Sequence, residues 1–132
     1  MMIQTPFYVF SVQRSQLSAD ENRRRVEFVT AYMQKAKIPF AKVCGRYKGE
    51  EETSFLVLDP TGEMLRAYVL NLARLYEQES VLHVDANGSA VLYSSEGGRI
   101  AELGQWHEVS AQEAAALEAV TEFQGRYWSA QA

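Results

Sequence analysis

Strand-like and helix-like stretches alternate along the chain, and their order is the feature that most constrains the fold. Residues 7–12 are β-branched or aromatic, which predicts a buried strand. Residues 18–21 read Ser-Ala-Asp-Glu, the S-x-x-E form of a capping box, so a helix is expected to begin there and to end at Pro39. Residues 40–47 and 53–58 then predict a second and a third strand.

The same alternation continues in the middle of the chain. Asp59-Pro60 is typical of a helix start, with Asp as the cap and Pro at the first helical position. Residues 65–76 carry apolar side chains at helical spacing, and residues 81–85 predict a fourth strand. Asn87-Gly88 is a strong hairpin signal, so residues 89–94 are expected to pair back onto the fourth strand.

The C-terminal part contains a further turn and a second capping box. Gly97-Gly98 indicates the turn, and residues 99–103 predict a short strand. Residues 110–113 read Ser-Ala-Gln-Glu and are expected to open an Ala-rich helix that ends near Gly125. The order βαββαβ with this hairpin and helix extension predicts the α+β class, a ferredoxin-like antiparallel sheet with helices on one face.

A sheet with helices on one side leaves its other face open. A sheet rich in Phe, Tyr, Val and Leu is not expected to leave that face in water. We therefore expect the C-terminal segment or another subunit to cover it, which would place a ligand pocket between chains. The length of 132 residues, without a linker or repeat, predicts a single domain over residues 1–132.

Composition excludes several classes of function. The formal net charge of −4 is too acidic for a general nucleic-acid binder and too small for a mimic of DNA. The apolar run at 7–12 is too short for a signal peptide or a membrane span, so no membrane partner and a cytoplasmic location are expected. Cys44 is the only cysteine, so no internal disulfide can form, and we interpret it as a small core residue.

The strongest candidates for chemistry are Glu50, Glu51 and Glu52, which lie between two predicted strands shortly after Tyr47. Carboxylates held at a sheet edge can bind a cation or transfer a proton, and Tyr47 is near enough to share the place. A solvated acidic loop and a strand-end Tyr that packs its ring are the simpler interpretations. Arg14 follows the first strand, where it could hold a carboxylate or be a plain surface residue.

The remaining residues give weaker signals. His83 and His107 lie far apart and lack partner spacing, so no metal site is expected. The chain has no G-x-G-x-x-G, Walker or G-x-S-x-G pattern, which argues against the common cofactor and hydrolase sites. Trp106, Tyr127 and Trp128 could stack on a ligand ring, although such residues more often cap the core of a small domain.

Four short segments stand out when they are taken together. They are Phe7-Tyr8-Val9 running into Arg14-Ser15, Gly45-Arg46-Tyr47 followed by Glu51-Glu52-Thr53, the stretch from Glu77 to Leu82, and Glu122-Phe123 through Tyr127-Trp128. In this order and at this spacing, these islands resemble the small bacteriophage enzymes that degrade S-adenosylmethionine (SAM), which were formerly called SAM hydrolases and are better described as SAM lyases. The resemblance spans nearly the whole chain.

The resemblance implies cleavage of SAM to 5′-methylthioadenosine and L-homoserine lactone, in a homotrimer with the active site between subunits. It implies a Tyr after the second strand and a Glu before the third as the key groups, which fall on Tyr47 and on Glu51 or Glu52. No metal or cofactor is expected, because SAM carries its own carboxylate nucleophile and its own sulfonium leaving group. In a host cytoplasm, loss of SAM would starve methylation and SAM-dependent restriction.

Two alternatives remain open from the sequence. A SAM hydrolase would use a Glu as general base on a water molecule and give homoserine directly. A non-catalytic ferredoxin-like module would use its acidic loop to bind a host protein, for example to block restriction. Turnover of SAM by the purified protein distinguishes the second alternative from the enzymes.

Overall fold

Within residues 5–61 and 64–131, which the computed structural model describes, eight strands form one closed antiparallel barrel. The strands are β1 (Phe7–Ser11), β2 (Phe40–Tyr47), β3 (Glu50–Leu58), β4 (Ser80–Val84), β5 (Ser89–Ser94), β6 (Arg99–Val109), β7 (Ala119–Phe123) and β8 (Arg126–Gln131). The helices are α1 (Ala19–Lys35), α2 (Arg66–Leu75) and α3 (Ala111–Ala116). Around the barrel the strands follow the order β1-β3-β2-β7-β8-β6-β5-β4.

The prediction of a ferredoxin-like α+β sandwich was wrong. In such a sandwich β2 and β4 would be free edges, whereas β7 pairs with β2 and β5 pairs with β4. β6 and β8 complete the circuit between them. Closure pairs the backbone groups that two edges would leave exposed, which explains why this arrangement is favoured. The sheet face that we expected the C-terminal segment or another subunit to cover is the barrel interior, and the C-terminal strands β6 and β8 enclose it.

The C-terminal third accounts for most of this error. The predicted capping box is present, since Ser110 and Glu113 bond to each other's backbone N–H, but α3 ends at Ala116 instead of near Gly125. The residues that follow form β7 and β8, because the β-branched and aromatic side chains in this stretch suit a pleated surface. The strand predicted at 99–103 also continues to Val109.

The hairpin between β2 and β3 is tighter than predicted. Lys48 and Gly49 alone form the turn, and both have positive φ angles (51° and 83°), as a type I′ turn requires. The third strand therefore begins at Glu50 instead of Thr53, and the acidic triplet belongs to a strand and not to a loop. Alternate residues of a strand face opposite sides, so neighbouring carboxylates in the triplet point to different faces.

Two apolar cores lie on the two sides of the barrel wall. Inside the barrel, the buried residues are Phe7, Val9, Val43, Leu56, Val84, Ala90, Trp106 and Trp128. Outside it, α1 and α2 pack over β1, β3 and β4 and bury Tyr8, Phe10, Val12, Val29, Met33, Phe55, Val57 and Val69. Every residue of β1 is buried, which explains its continuous apolar run. No helix in the described part of the chain is long and apolar enough to span a membrane.

The start of α2 depends on Asp59, although the helix begins later than the Asp59-Pro60 signal predicted. The Asp59 carboxylate is 1% exposed and accepts hydrogen bonds from the Leu65 N–H and the Thr61 hydroxyl, each at 3.0 Å. The first helical residue is Arg66, so the carboxylate holds the turn that leads into the helix. A buried carboxylate with these two bonds is a structural anchor for α2.

We expect Asp59→Ala to lower the free energy of unfolding by about 1–3 kcal/mol, because it leaves the Leu65 N–H and the Thr61 hydroxyl without this acceptor. Urea unfolding followed by circular dichroism measures the change. Asp20→Ala is the matched control, since Asp20 is an exposed helix residue paired with Arg23, and its loss should cost under about 1 kcal/mol. Equal effects of the two substitutions would contradict the assignment of Asp59 as an anchor.

Candidate functional site

Tyr47 and Glu52 lie together at one end of the barrel. In the β2–β3 hairpin Gly45 is paired with Glu52, and Tyr47 with Glu50. Directly paired residues share a face of the sheet, and Val43, two residues before Gly45, belongs to the barrel core. Tyr47, Glu50 and Glu52 therefore project from the inner face of the hairpin at the barrel mouth.

Glu51 projects from the outer face of the same hairpin. It is paired with Arg46, and its Oε2 lies 3.5 Å from the Sγ of Cys44, which is also on the outer face. These three side chains border a small outer cavity of about 130 Å³ that does not include Tyr47. The structure thus brings Tyr47 together with Glu52, and not with Glu51.

Three depressions meet at Glu52. The mouth cavity, about 240 Å³, enters the barrel beside Tyr47, Glu52, Trp106 and Trp128. The acidic cleft, about 350 Å³, is bordered by Tyr47, Glu52, Arg14, Glu50, Glu77 and Glu79. The α1 cleft, about 530 Å³, lies between α1 and the start of β3, and its lining includes Arg14, Asn22, Glu50, Glu51 and Glu52. Tyr47 borders the first two, whereas Glu51 borders only the third.

Arg14 is fixed at the rim of the acidic cleft by the loop after β1. Its backbone N–H donates to the Oδ1 of Asn22 and its carbonyl accepts from the Nδ2 of Asn22, both at 2.9 Å. Its Nη1 lies 3.2 Å from the Oε2 of Glu77, which Arg25 also pairs at 3.0 Å. The predicted residues Arg14, Tyr47 and Glu52 therefore share one cleft, with the guanidinium of Arg14 already engaged by a carboxylate.

The carboxyl group of Glu52 has a raised pKa. Partial burial at the barrel mouth raises the pKa of Glu52, a hydrogen bond from Ser11 lowers it, and the neighbouring Glu50 charge raises it again, with burial dominant. Much of the Glu52 surface still faces solvent. The group is thus held between the apolar interior and the water outside.

Tyr47 presents an aromatic face at the same place. Its side chain is 57% exposed, and the Nζ of Lys48 lies 5.2 Å from the ring centroid. This is the distance range of a cation–π contact, so the ring already accommodates a positive charge on its face.

Backbone positions around Glu52 are held by residues that sequence reasoning did not select. Gln13 accepts a hydrogen bond from the Thr53 N–H through its Oε1 at 2.8 Å, just beyond the last β1–β3 pair. Gln78 donates through its Nε2 to the Gln13 carbonyl at 2.9 Å. Gln78 lies in the island from Glu77 to Leu82 on which the resemblance was based, and that island is the sequence signal that could have identified it.

The two tryptophans were interpreted as caps of the core, and in the structure they also line a cavity. Trp106 and Trp128 belong to the barrel core, and both also line the mouth cavity. Tyr127 packs outside the barrel with α3. Among residues 5–61 and 64–131, no group of three or more His, Cys, Asp and Glu side chains is arranged to hold a metal ion.

Comparison with known protein families gives one finding. Residues 8–131 match the family described as the S-Adenosylmethionine lyase family, so the match includes every strand except the first residue of β1. No curated protein matches the chain significantly.

We expect the pKa of the Glu52 carboxyl to lie above the ordinary value for Glu, because burial outweighs the Ser11 hydrogen bond. Ser11→Ala removes the bond that favours the ionised form, so the midpoint should move to still higher pH. NMR titration of the Glu52 carboxyl carbon measures both values. Ser54→Ala is the matched control, since Ser54 is buried like Ser11 and is its partner across β1 and β3. A midpoint that falls in Ser11→Ala would contradict this account.

Proposed function

Because the chain belongs to the S-adenosylmethionine lyase family and is therefore an enzyme that cleaves SAM, we propose that it releases 5′-methylthioadenosine and L-homoserine lactone at Tyr47 and Glu52. The observation that carries the choice of site is that these two side chains border both the mouth cavity and the acidic cleft. A ligand that reached from one depression into the other would pass between them.

The charges around the acidic cleft suit the substrate. Glu50, Glu52 and Glu79 border it in addition to Glu77, which is balanced by Arg14 and Arg25. At neutral pH SAM carries a sulfonium, an ammonium and one carboxylate, so its net charge is positive. A cleft lined by one sign of charge concentrates a ligand of the opposite sign, and this supports a cationic substrate.

The reaction that we propose is intramolecular. An oxygen of the substrate carboxylate attacks the γ carbon of the methionyl chain, the bond from that carbon to sulfur breaks, and the electron pair stays on sulfur as the thioether of methylthioadenosine. No proton has to move in this step. Orientation of two groups within one molecule can contribute roughly 7–11 kcal/mol, so the main task of the protein is to hold the folded-back conformation.

Charge neutralisation adds a second contribution. The carboxylate and the sulfonium lose their charges as the transition state forms, so a site with little water destabilises the substrate more than the transition state. The barrel mouth is only partly shielded in one chain, where partial burial raises the pKa of Glu52 and much of its surface still faces water. The walls supplied by Trp106 and Trp128 extend the apolar surface inward.

Each side chain of the site then has a distinct part. The Glu52 carboxylate, when ionised, holds the substrate ammonium by a charge-assisted hydrogen bond. The Tyr47 ring receives the sulfonium in place of Lys48, a contact worth about 0.5–2 kcal/mol. Arg14 faces the substrate carboxylate but is partly satisfied by Glu77, which leaves that carboxylate free to attack.

We also propose that the active enzyme is a homotrimer in which a neighbouring subunit closes the cleft. The support is that Tyr47 is 57% exposed and Glu52 is open to solvent in one chain, whereas the chemistry above is favoured by a site with little water. The contact would lie at the barrel mouth, where these two side chains are exposed. Depletion of SAM in a host cell, and with it of methylation and restriction, is the proposed biological consequence.

We expect Glu52→Gln to reduce the rate of SAM cleavage by about 100-fold or more, because the amide cannot provide the charge that holds the ammonium. Glu51→Gln is the matched control one residue away, and it should retain most activity since Glu51 faces the outer side of the hairpin. Formation of methylthioadenosine followed by chromatography measures both rates, and circular dichroism checks the fold. The reverse result would assign the role to Glu51 and reject this geometry.

Hydrolysis by a Glu52-activated water is the second candidate, because the raised pKa of Glu52 and its exposure to solvent suit a general base.

Reaction in H₂¹⁸O distinguishes the lyase reaction from hydrolysis. In the lyase reaction the γ oxygen comes from the substrate carboxylate, and later opening of the lactone places ¹⁸O in the carboxyl group. In hydrolysis ¹⁸O enters the γ hydroxyl. We expect the label in the carboxyl group by fragment mass spectrometry, with lactone before homoserine, and label in the hydroxyl would reject the lyase step.

A further inference from the structure

The mouth cavity is lined mainly by apolar side chains, although Arg46, Thr121 and Ser129 also border it, as do the two site residues. Leu82, Leu103, Trp106 and Trp128 border its inner part, and Tyr47 and Glu52 border its entrance. Its volume of about 240 Å³ equals that of about eight molecules of liquid water. A space of this size and polarity suits a flat heterocycle better than a charged amino-acid chain.

The two tryptophans form a fixed wall of this cavity. Their rings are nearly parallel, with 4° between the planes and 6.4 Å between the centroids, and each residue is 7% exposed. Phe7 packs edge-on against Trp106 with the centroids 5.5 Å apart, which holds that ring from behind. A wall held in this way is already arranged before any ligand arrives, so little ordering is required on binding.

Gly45 keeps the entrance open. It is paired with Glu52 and lines the cavity, and a Cβ added to it would lie 3.3 Å from the Oγ of Ser54. Its φ lies outside the left-handed region, so the backbone conformation does not itself demand glycine. A side chain here would crowd Ser54 and would also take up space between Glu52 and the cavity.

We infer that the mouth cavity receives the purine ring of the substrate, an inference that rests on the proposed function. The order of groups in SAM is purine and ribose, then sulfonium, then the amino-acid end. With the purine in the apolar cavity, the sulfonium reaches Tyr47 at the entrance, and the amino-acid end enters the acidic cleft, where Glu52 can hold its ammonium. The reverse orientation would bury an ammonium and a carboxylate among Leu and Trp side chains, which is strongly unfavourable.

The side chain of Thr121 gives the cavity a polar point that a purine can use. Thr121 lines the cavity on β7, whereas the neighbouring Ser129 hydroxyl is directed to the Ala119 carbonyl at 2.9 Å. A hydroxyl both donates and accepts, so Thr121 can meet a ring nitrogen or an exocyclic amine. The apolar wall therefore supplies contact area, and this residue supplies orientation.

Intrinsic fluorescence tests the inference directly, because the chain has two tryptophans and both line the cavity. The wild-type protein is titrated with 5′-methylthioadenosine, which carries the purine but no sulfonium, and separately with L-methionine. We expect methylthioadenosine to change the tryptophan emission with saturation and methionine to leave it unchanged. Absence of a saturable change with methylthioadenosine would overturn the inference.

Gly45→Ala provides the matched variant. The added methyl group fills the entrance, so we expect the Kd for methylthioadenosine to rise about tenfold or more, as one methyl group in a fitted cavity does. Gly98→Ala is the control, because a Cβ there meets the Oγ of Ser94 at an ordinary 3.6 Å, far along the chain from the cavity lining. An unchanged Kd in Gly45→Ala would reject the proposed route into the cavity.

One further measurement covers a Gly45→Ala variant that does not fold. Nuclear Overhauser contacts between the purine protons and the indole protons of the wild-type complex need no substitution, and their absence at saturation would overturn the inference. Cleavage of SAM is assayed separately. If the protein binds methylthioadenosine in this cavity but leaves SAM intact, the proposed function is rejected and the cavity assignment is kept. If it cleaves SAM but does not bind methylthioadenosine in this cavity, the cavity assignment is rejected and the proposed function is kept.

Discussion

Closure of the barrel is the constraint on which the site depends. β2 carries Gly45 and Tyr47, and it is held on one side by β3 and on the other by β7. The pairing of β7 with β8, and of β8 with β6, then fixes Trp128 and Trp106 opposite that hairpin. A sheet that ended at β2 would have no mouth cavity, because two of its walls come from strands at the far end of the sequence.

The position of Glu52 follows from the same closure. Residues deeper along the inner face of β3, such as Leu56, lie in an apolar core where an ionised carboxylate would be strongly disfavoured. At the mouth the carboxyl keeps contact with water and with Ser11, while the barrel still raises its pKa. This boundary joins an apolar cavity to an acidic cleft, which is the arrangement that a ligand with an aromatic end and a cationic end requires.

Local signals predicted many elements correctly, and long-range pairing decided the rest. Ser18 caps α1, Ser110 caps α3, and Asn87-Gly88 lies in the turn between β4 and β5, as the sequence indicated. These features depend on side chains within a few residues of one another. The side chains after Ala116 suit strands, but the partners that stabilise these strands, β2 and β6, are distant in sequence, and no local signal identifies them.

The sequence by itself determined that Tyr47 and the acidic triplet are neighbours, because a short hairpin joins them, and it pointed to the family. Only the tertiary structure decided which carboxylate faces Tyr47. Alternation along β3 divides the triplet between two faces, but the face that becomes the barrel interior is set by strands elsewhere in the chain. Glu52 therefore lies in the cleft with Tyr47 and Arg14, while Glu51 lies outside it.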